Sequence, residues 1–284
     1  MNKICIITGA TDGIGKQTAL ELSKQGFTLG LVGRNHEKGE TVISEIQAET
    51  GNESLTFFEA DLSLLAQVNA VAQQIKRTYD SIDVLLNNAG AYMSDFSQTE
   101  EEYETTFALN HLNYFLLTHE LLDMVKAAPS GRVVNVASMA HKNATLDFDD
   151  LQMINNYSGW TSYCRSKLMN IMFTYECHRS YADSGVTFNC LHPGFVNSNF
   201  GNNNSGFARG SINAAKSLFA INVEKGARTN VYLASSEDVE GISGKYFNKC
   251  KPVKSSDVSY NDDDQKRLWE MSENIIESIQ MNEG

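Results

Sequence analysis

Ile4-Cys5-Ile6-Ile7-Thr8-Gly9-Ala10-Thr11-Asp12-Gly13-Ile14-Gly15 is the stretch that decides how this chain folds. A short aliphatic run of strand character enters a turn with glycines at 9, 13 and 15, and a helical pattern follows from Lys16 to Gln25. Glycines suit such a turn because they take backbone angles closed to other residues, let the chain approach a pyrophosphate, and allow a helix to pack tightly on a strand. The helix amino terminus that follows presents unpaired N–H groups and partial positive charge to a phosphate. Gly9, Thr11, Asp12, Gly13, Ile14 and Gly15 are therefore candidate dinucleotide contacts, with a purely structural turn as the alternative.

Outward from this turn, β-branched or aliphatic runs at 4–8, 28–32, 55–60, 84–88, 132–137 and 186–191 alternate with segments of helical period, and a final strand is expected over 245–248. Parallel strands need crossovers of constrained hand, so the rhythm predicts an α/β fold: a Rossmann-type, doubly wound parallel sheet of about seven strands with helices on both faces. With 284 residues and three prolines, the chain is expected to form one nucleotide-binding domain over 1–284. Gly26 is predicted to close the first helix and Gly185 the one that begins near Thr161. Residues 197–210 hold five asparagines and three glycines and read as a loop, either a flap over the site or plain surface; a substrate-loop region is expected over about 197–221. Asp262-Asp263-Asp264 reads as the solvated start of the carboxy-terminal helix.

The end of the second predicted strand selects the nucleotide. NAD enzymes of this architecture place an acid there, on the adenosine ribose hydroxyls. This chain has Val32-Gly33-Arg34-Asn35 instead. A guanidinium forms a planar, charge-assisted pair with a 2′-phosphate, so NADP(H) is expected over NAD(H), with Arg34 and Asn35 beside it. A merely solvated Arg34 is the other reading. Lys38, one turn on, would offset the acid Asp12 in the glycine turn.

Composition narrows the partners. A net charge of -12 and a pI near 4.9 oppose nucleic-acid binding and anionic membrane surfaces. No apolar run approaches the roughly 20 residues that a membrane span requires, and the amino terminus does not read as a secretory signal. Five scattered cysteines without Cys-x-x-Cys spacing suit a reducing compartment, so the cytoplasm is the expected location. Six histidines form no His-x-x-x-His pair, so no metal site is expected.

Chemistry is carried by Tyr163-Cys164-Arg165-Ser166-Lys167 at the start of a long helical pattern. Residues four apart share a helical face, and an ammonium near a phenol favours the phenolate, lowering the tyrosine pKa toward the working range. Alone the pair is weak evidence, because 11 tyrosines and 15 lysines predict about 0.6 chance matches to this spacing. Upstream, Val133-Val134-Asn135-Val136-Ala137 runs into Ser138 at the carboxyl end of a strand, where open α/β sheets place ligands. Ser138 donates there to a substrate oxygen or satisfies local backbone.

In chain order these residues resemble the short-chain dehydrogenase/reductase family: Thr8-Gly9-x-x-x-Gly13-x-Gly15, Asp61-Leu62, Asn87-Asn88-Ala89-Gly90, Asn110, Ser138 with Tyr163-x-x-x-Lys167, then Pro193-Gly194. The resemblance implies a catalytic set of Asn110, Ser138, Tyr163 and Lys167, with Asn110 holding a water that links Lys167 to solvent. It implies that Asp61, followed by Leu62, contacts adenine. Asn88 and Gly90, with Ala89 between them, would line the adenosine side, and Val196 and Ser198, beyond Pro193-Gly194, would sit near the nicotinamide carboxamide. The implied function is NADP(H)-dependent interconversion of a carbonyl and its alcohol by hydride transfer. Ser138 would polarise the oxygen, Tyr163 exchange the proton, and Lys167 bond the nicotinamide ribose.

Asn135-Val136-Ala137-Ser138-Met139-Ala140-His141, Tyr163-Cys164-Arg165-Ser166-Lys167-Leu168-Met169-Asn170 and His192-Pro193-Gly194 resemble the retinol dehydrogenase-like group, as does the long insertion 139–160. That implies apolar aldehydes, ketones or alcohols of the retinoid, steroid or lipid-derived kind. It also suggests a homodimer or homotetramer, with Leu117, Leu121 and Met172 either facing outward to join subunits or packing on the sheet. Two other classes compete. A nucleotide-sugar epimerase or dehydratase needs a larger carboxy-terminal sugar domain than the sequence after Pro193-Gly194 offers. A catalytically silent NADP(H) sensor has no need of a proton donor.

Overall fold

The apolar runs form strands where the sequence places them, because parallel strands covered on both faces are largely apolar. The computed structural model describes residues 2–194 and 222–282; Val196, Ser198 and the region expected at 197–221 lie outside the described residues. Strands β1 (Ile4–Thr8), β2 (Thr28–Gly33), β3 (Leu55–Glu59), β4 (Val84–Asn87), β5 (Arg132–Val136), β6 (Thr187–His192) and β7 (Lys245–Asn248) lie in the order β3-β2-β1-β4-β5-β6-β7 and pair in parallel. An eighth strand, β8 (Lys251–Val253), which the sequence reading lacks, returns antiparallel to β7 through a turn in which Lys249 and Cys250 adopt positive φ. All three of its residues are exposed, so it carries no hydrophobic pattern.

The helices are α1 (Gly13–Lys24), α2 (His36–Thr50), α3 (Leu65–Thr78), α4 (Thr105–Phe107), α5 (Asn113–Lys126), α6 (Gly159–Ser180), α7 (Val223–Ser235) and α8 (Asp262–Asn282), with a π-helical turn at Ala108–Leu112 joining α4 to α5. The alternation of side chains along the strands splits the core. Cys5, Ile7, Val84, Leu86 and Val134 pack with residues of α1, α2 and α7. Ile6, Leu85 and Val133 pack with α3, α5, α6 and α8 on the other face. Strand order reverses between β1 and β4, where successive crossovers leave in opposite directions and open a crevice at the carboxyl ends. Among the described residues no helix is long and apolar enough to cross a membrane.

One expectation changes. The sixth helix begins at Gly159, capped by Ser158, and ends at Ser180; Gly185 closes a short 3-10 turn, Ala182–Ser184, instead. Tyr181 leaves helical angles there and lays its ring on Phe188, 5.8 Å between centroids. Of the two readings left open for Leu117, Leu121 and Met172, packing within the fold holds over facing outward: all three are fully buried. The carboxy-terminal helix lies over this side, with the Trp269 ring 4.9 Å from Phe115 and 6.0 Å from Phe173, so these positions join no subunits.

Helix α8 also reaches the π turn, where the fully buried His111 meets the Ser272 hydroxyl at 2.9 Å. Burial pushes the His111 pKa down to about 3. The unfolded chain therefore takes up a proton below about pH 6.5 that the folded chain refuses. Stability should fall as pH drops from about 6.5, by about 1.4 kcal/mol per pH unit for such a group once well below that value. Urea unfolding of the natural protein and of His111→Gln across pH 7 to 5 checks this; the variant should show the shallower acid dependence.

Candidate active site

The glycine turn is built as its residues require. Gly9 (φ 65) and Gly13 (φ 51) occupy the left-handed region. A Cβ on Gly15 would stand 2.2 Å from the Gly9 carbonyl oxygen, so that position admits no side chain unless the backbone moves. Asp12 caps α1, accepting from Gly13 N at 2.7 Å, and its other oxygen takes the Lys38 ammonium at 3.0 Å. Lys38 thus neutralises the acid, as the sequence allowed, although a pair this exposed contributes little stability. Thr11 packs its methyl against Gly33 at the end of β2, and Ile14 continues into the helix. Arg34 is exposed and, among the described residues, makes no hydrogen bond or ion pair; Asn35 caps α2 by accepting from Lys38 N at 2.8 Å.

Across the crevice, Asn88 donates its side-chain amide to the carbonyls of Thr8 (2.8 Å) and Gly9 (3.3 Å), and Ala89 is buried behind it. Asp61 accepts from the backbone and hydroxyl of Ser63, shaping the turn after β3, while Leu62 is buried. Pro193 and Gly194 (φ 92) follow β6 at the same edge of the sheet.

The residues expected to react converge at the carboxyl end of β5. The Ser138 hydroxyl faces the Tyr163 phenol and favours its anion, and Ser138 Oγ accepts from Ala140 N at 3.2 Å. Lys167, one turn along α6, donates to the Val136 carbonyl at 3.0 Å, with its Nζ 5.9 Å from the Tyr163 ring centroid. Asn110 lies in the π turn; its amide donates to Ala91 O (2.9 Å) and Ser166 Oγ (3.0 Å) and accepts from Ala91 N (2.8 Å). A Cβ on Gly90 would stand 3.1 Å from Asn110 Oδ1 and 3.3 Å from Lys167 Nζ, so the bare glycine keeps this corner open.

A sequence model described as short chain dehydrogenase matches residues 3–207. The chain belongs to the short-chain dehydrogenases. Human retinol dehydrogenase 12 is 37% identical over 270 residues, covering 95% of this chain and 85% of its own. Human retinol dehydrogenase 11 is 38% identical over 274 residues, covering 96% and 86%. Among solved structures, an uncharacterised protein from Mycobacterium paratuberculosis superimposes with a TM-score of 0.76 at 29% identity, over 96% of this chain and 92% of that one. A short chain dehydrogenase from Shigella flexneri 2a, solved with NADP, has a TM-score of 0.68 at 24% identity, over 88% and 98%, and shares the fold.

In this short-chain dehydrogenase the electrostatics correct one expectation. Lys167 does not lower the Tyr163 pKa. Burial pushes the phenol up to about 12, offset in part by the Ser138 hydroxyl, and burial pushes the Lys167 ammonium down to about 7. Desolvation disfavours the charged form of each and is the largest cause for both. Tyr163 is therefore protonated at neutral pH.

Sequence reasoning missed two buried polar networks beside these residues. The buried Glu104 carboxylate caps α4 through Thr106 N (2.9 Å) and Phe107 N (2.8 Å), and accepts from Tyr157 (3.0 Å) and from Ser162 (3.2 Å), the neighbour of Tyr163. A buried relay runs from Thr118 through Asn87 and Asn135 to Thr174, joining α5 to α6 through two strands. The paired Asn87-Asn88 and the lone Asn135 in an aliphatic strand were the available signals. Because Gly15 leaves no room beside Gly9, Gly15→Ala should weaken NADPH binding at least about tenfold, measured by quenching of protein fluorescence.

Proposed function

We propose that this chain is an NADP(H)-dependent oxidoreductase that interconverts apolar aldehydes or ketones with their alcohols. The observation that carries the reading is the Ser138 hydroxyl facing the Tyr163 phenol, with Lys167 one helical turn away, at the end of the crevice opposite the glycine turn. The residues present fit a dinucleotide: positive-φ glycines at the amino terminus of α1, an open corner at Gly90, and Arg34 at the end of β2. A bound nicotinamide supplies the hydride.

The chain's own side chains then hold and protonate the substrate. Ser138 donates to the carbonyl oxygen and polarises it, as a group aimed at developing negative charge. Tyr163, protonated at neutral pH, gives its proton to that oxygen as negative charge builds. Lys167, its ammonium pushed down by burial to about 7, is placed to restore the charge balance as the phenol loses its proton. Gly90 and Asn110 keep Lys167 in contact with the nucleotide side of the crevice.

Apolar substrates are favoured by the rim. Met139, next to Ser138, is 48% exposed, and Trp160, whose ring lies 6.0 Å from that of Tyr163, is 52% exposed. Side chains of this size left open beside a reactive pair fit an apolar ligand better than bulk water. The retinol dehydrogenases among the relatives carry names consistent with that class. Five free cysteines, four of them buried, suit a reducing compartment such as the cytoplasm.

Tyr163→Phe should lower carbonyl reduction by at least about a thousandfold and leave NADPH affinity within about twofold, since only the proton donor is lost. Retained turnover would overturn the reading. Arg34→Leu should raise the KM for NADPH about tenfold and leave that for NADH nearly unchanged; a parallel loss with both nucleotides would argue against a 2′-phosphate contact.

A further inference from the structure

Two buried histidines that no step above uses hold the peptide immediately after Ser138. His141, in the 3-10 turn Met139–Asn143, places Nδ1 2.6 Å from the Ser138 carbonyl oxygen, and its Nε2 accepts from Ser256 N at 3.1 Å. A backbone N–H can only donate, so Nε2 carries a lone pair and the proton sits on Nδ1, aimed at Ser138. His192, the last residue of β6, accepts at Nδ1 from Met139 N at 3.1 Å. The carbonyl and the N–H of one peptide unit, Ser138–Met139, are thus gripped by two imidazoles from different parts of the chain. That unit sets the extended backbone of Ser138 (φ -154, ψ 157), from which its hydroxyl reaches Tyr163.

We propose that His141 and His192 are paired positioning residues, which lock the Ser138–Met139 peptide and so aim the Ser138 hydroxyl at Tyr163 and the substrate oxygen; the proposal rests on the catalytic reading of those two residues. The grip works only with neutral rings. A protonated His192 would point N–H at the N–H of Met139, and a protonated His141 would do so at Ser256. The surroundings keep both neutral. Burial pushes His192 down to about 4, helped by His141 and Lys142 facing it. Burial also lowers His141, with Lys142 adding to this and the Ser138 carbonyl opposing, and its other face meets the Tyr246 ring at 5.0 Å. The same peptide carries Met139, so the clamp fixes one side of the apolar rim as well.

The test compares His192→Asn with His192→Leu, and adds His141→Phe, in steady-state reduction of an apolar aldehyde by NADPH. Nucleotide affinity and melting temperature are measured on each. Asparagine offers an oxygen near the place of Nδ1 and can still accept from Met139; leucine cannot. His192→Leu and His141→Phe should each lose at least about tenfold in kcat with NADPH affinity within about twofold, and His192→Asn should recover most of the loss. Nitrogen-15 spectra of the natural holoenzyme at pH 6.5 should show His141 protonated on Nδ1 and His192 on Nε2, a readout that needs no variant to fold. Unchanged kcat in His192→Leu, equal loss in the leucine and asparagine variants, or charged or opposite tautomers would overturn the clamp. If instead the natural enzyme reduces no carbonyl, or Tyr163→Phe stays active, the catalytic reading falls and takes the proposal with it. A result against the histidines alone, with Tyr163→Phe inactive, removes only the clamp.

Discussion

The structure turns on one buried hydroxyl. Thr8 ends β1 at the point where strand order reverses, and there the backbone N–H groups that follow β4 lose their ladder partners. Its Oγ1 accepts from both Asn88 N (2.8 Å) and Ala89 N (3.0 Å), and the Asn88 amide returns a bond to the Thr8 carbonyl. Two loops that would otherwise diverge are tied face to face, so closely that a Cβ on Gly9 would meet Ala89 Cα at 2.9 Å. The position of Gly90 follows from this junction, and with it the corner shared by Asn110 and Lys167. The crevice floor is thus built from backbone, small residues and hydrogen-bonded amides, with little freedom to move.

At the other end, β5 does two jobs within three residues. Its Val136 carbonyl accepts from Lys167 at 3.0 Å and from the Tyr114 hydroxyl at 3.4 Å, and two residues later Ser138 meets Tyr163. The helix carrying Tyr163 and Lys167 is thereby referenced to the same strand end that carries Ser138. Burial then sets the protonation states, because it disfavours the charged form of either group. A neutral, protonated phenol is the form that suits carbonyl reduction, whereas an anionic phenolate would suit the reverse direction.

Much of this was legible in the chain. Short, largely apolar runs of four to six residues bounded by turns marked every parallel strand, since burial on both faces leaves few polar positions to blur the signal. Gly9, Gly13 and Gly15 announced the turn, because nothing else fits it. Ser138, Tyr163 and Lys167 were visible through order and spacing. What was not visible depends on long-range packing. Leu117, Leu121 and Met172 read as free faces only when α8 is left out of account. The acid Glu104 looks like one more charge in an exposed acidic run until Tyr157 and Ser162 close over it. The protonation of Tyr163 was misjudged because spacing reveals the Coulomb partner and not the depth of burial, which is the larger effect here.

The insertion 139–160 joins these threads. It begins inside the histidine grip on the Ser138–Met139 peptide and ends with Trp160 against Tyr163. Between them Tyr157 bonds the buried Glu104 carboxylate, which caps the helix leading to Asn110. A segment that reads as a substrate rim is therefore fastened to three of the proposed reacting positions. Changing its apolar side chains to suit a different carbonyl would shift the alignment of the proton donor at the same time. Arg34 lies at the opposite end, exposed and, among the described residues, without a hydrogen bond or ion pair. Under the proposed function, cofactor preference is therefore separable from chemistry, and substrate preference is not.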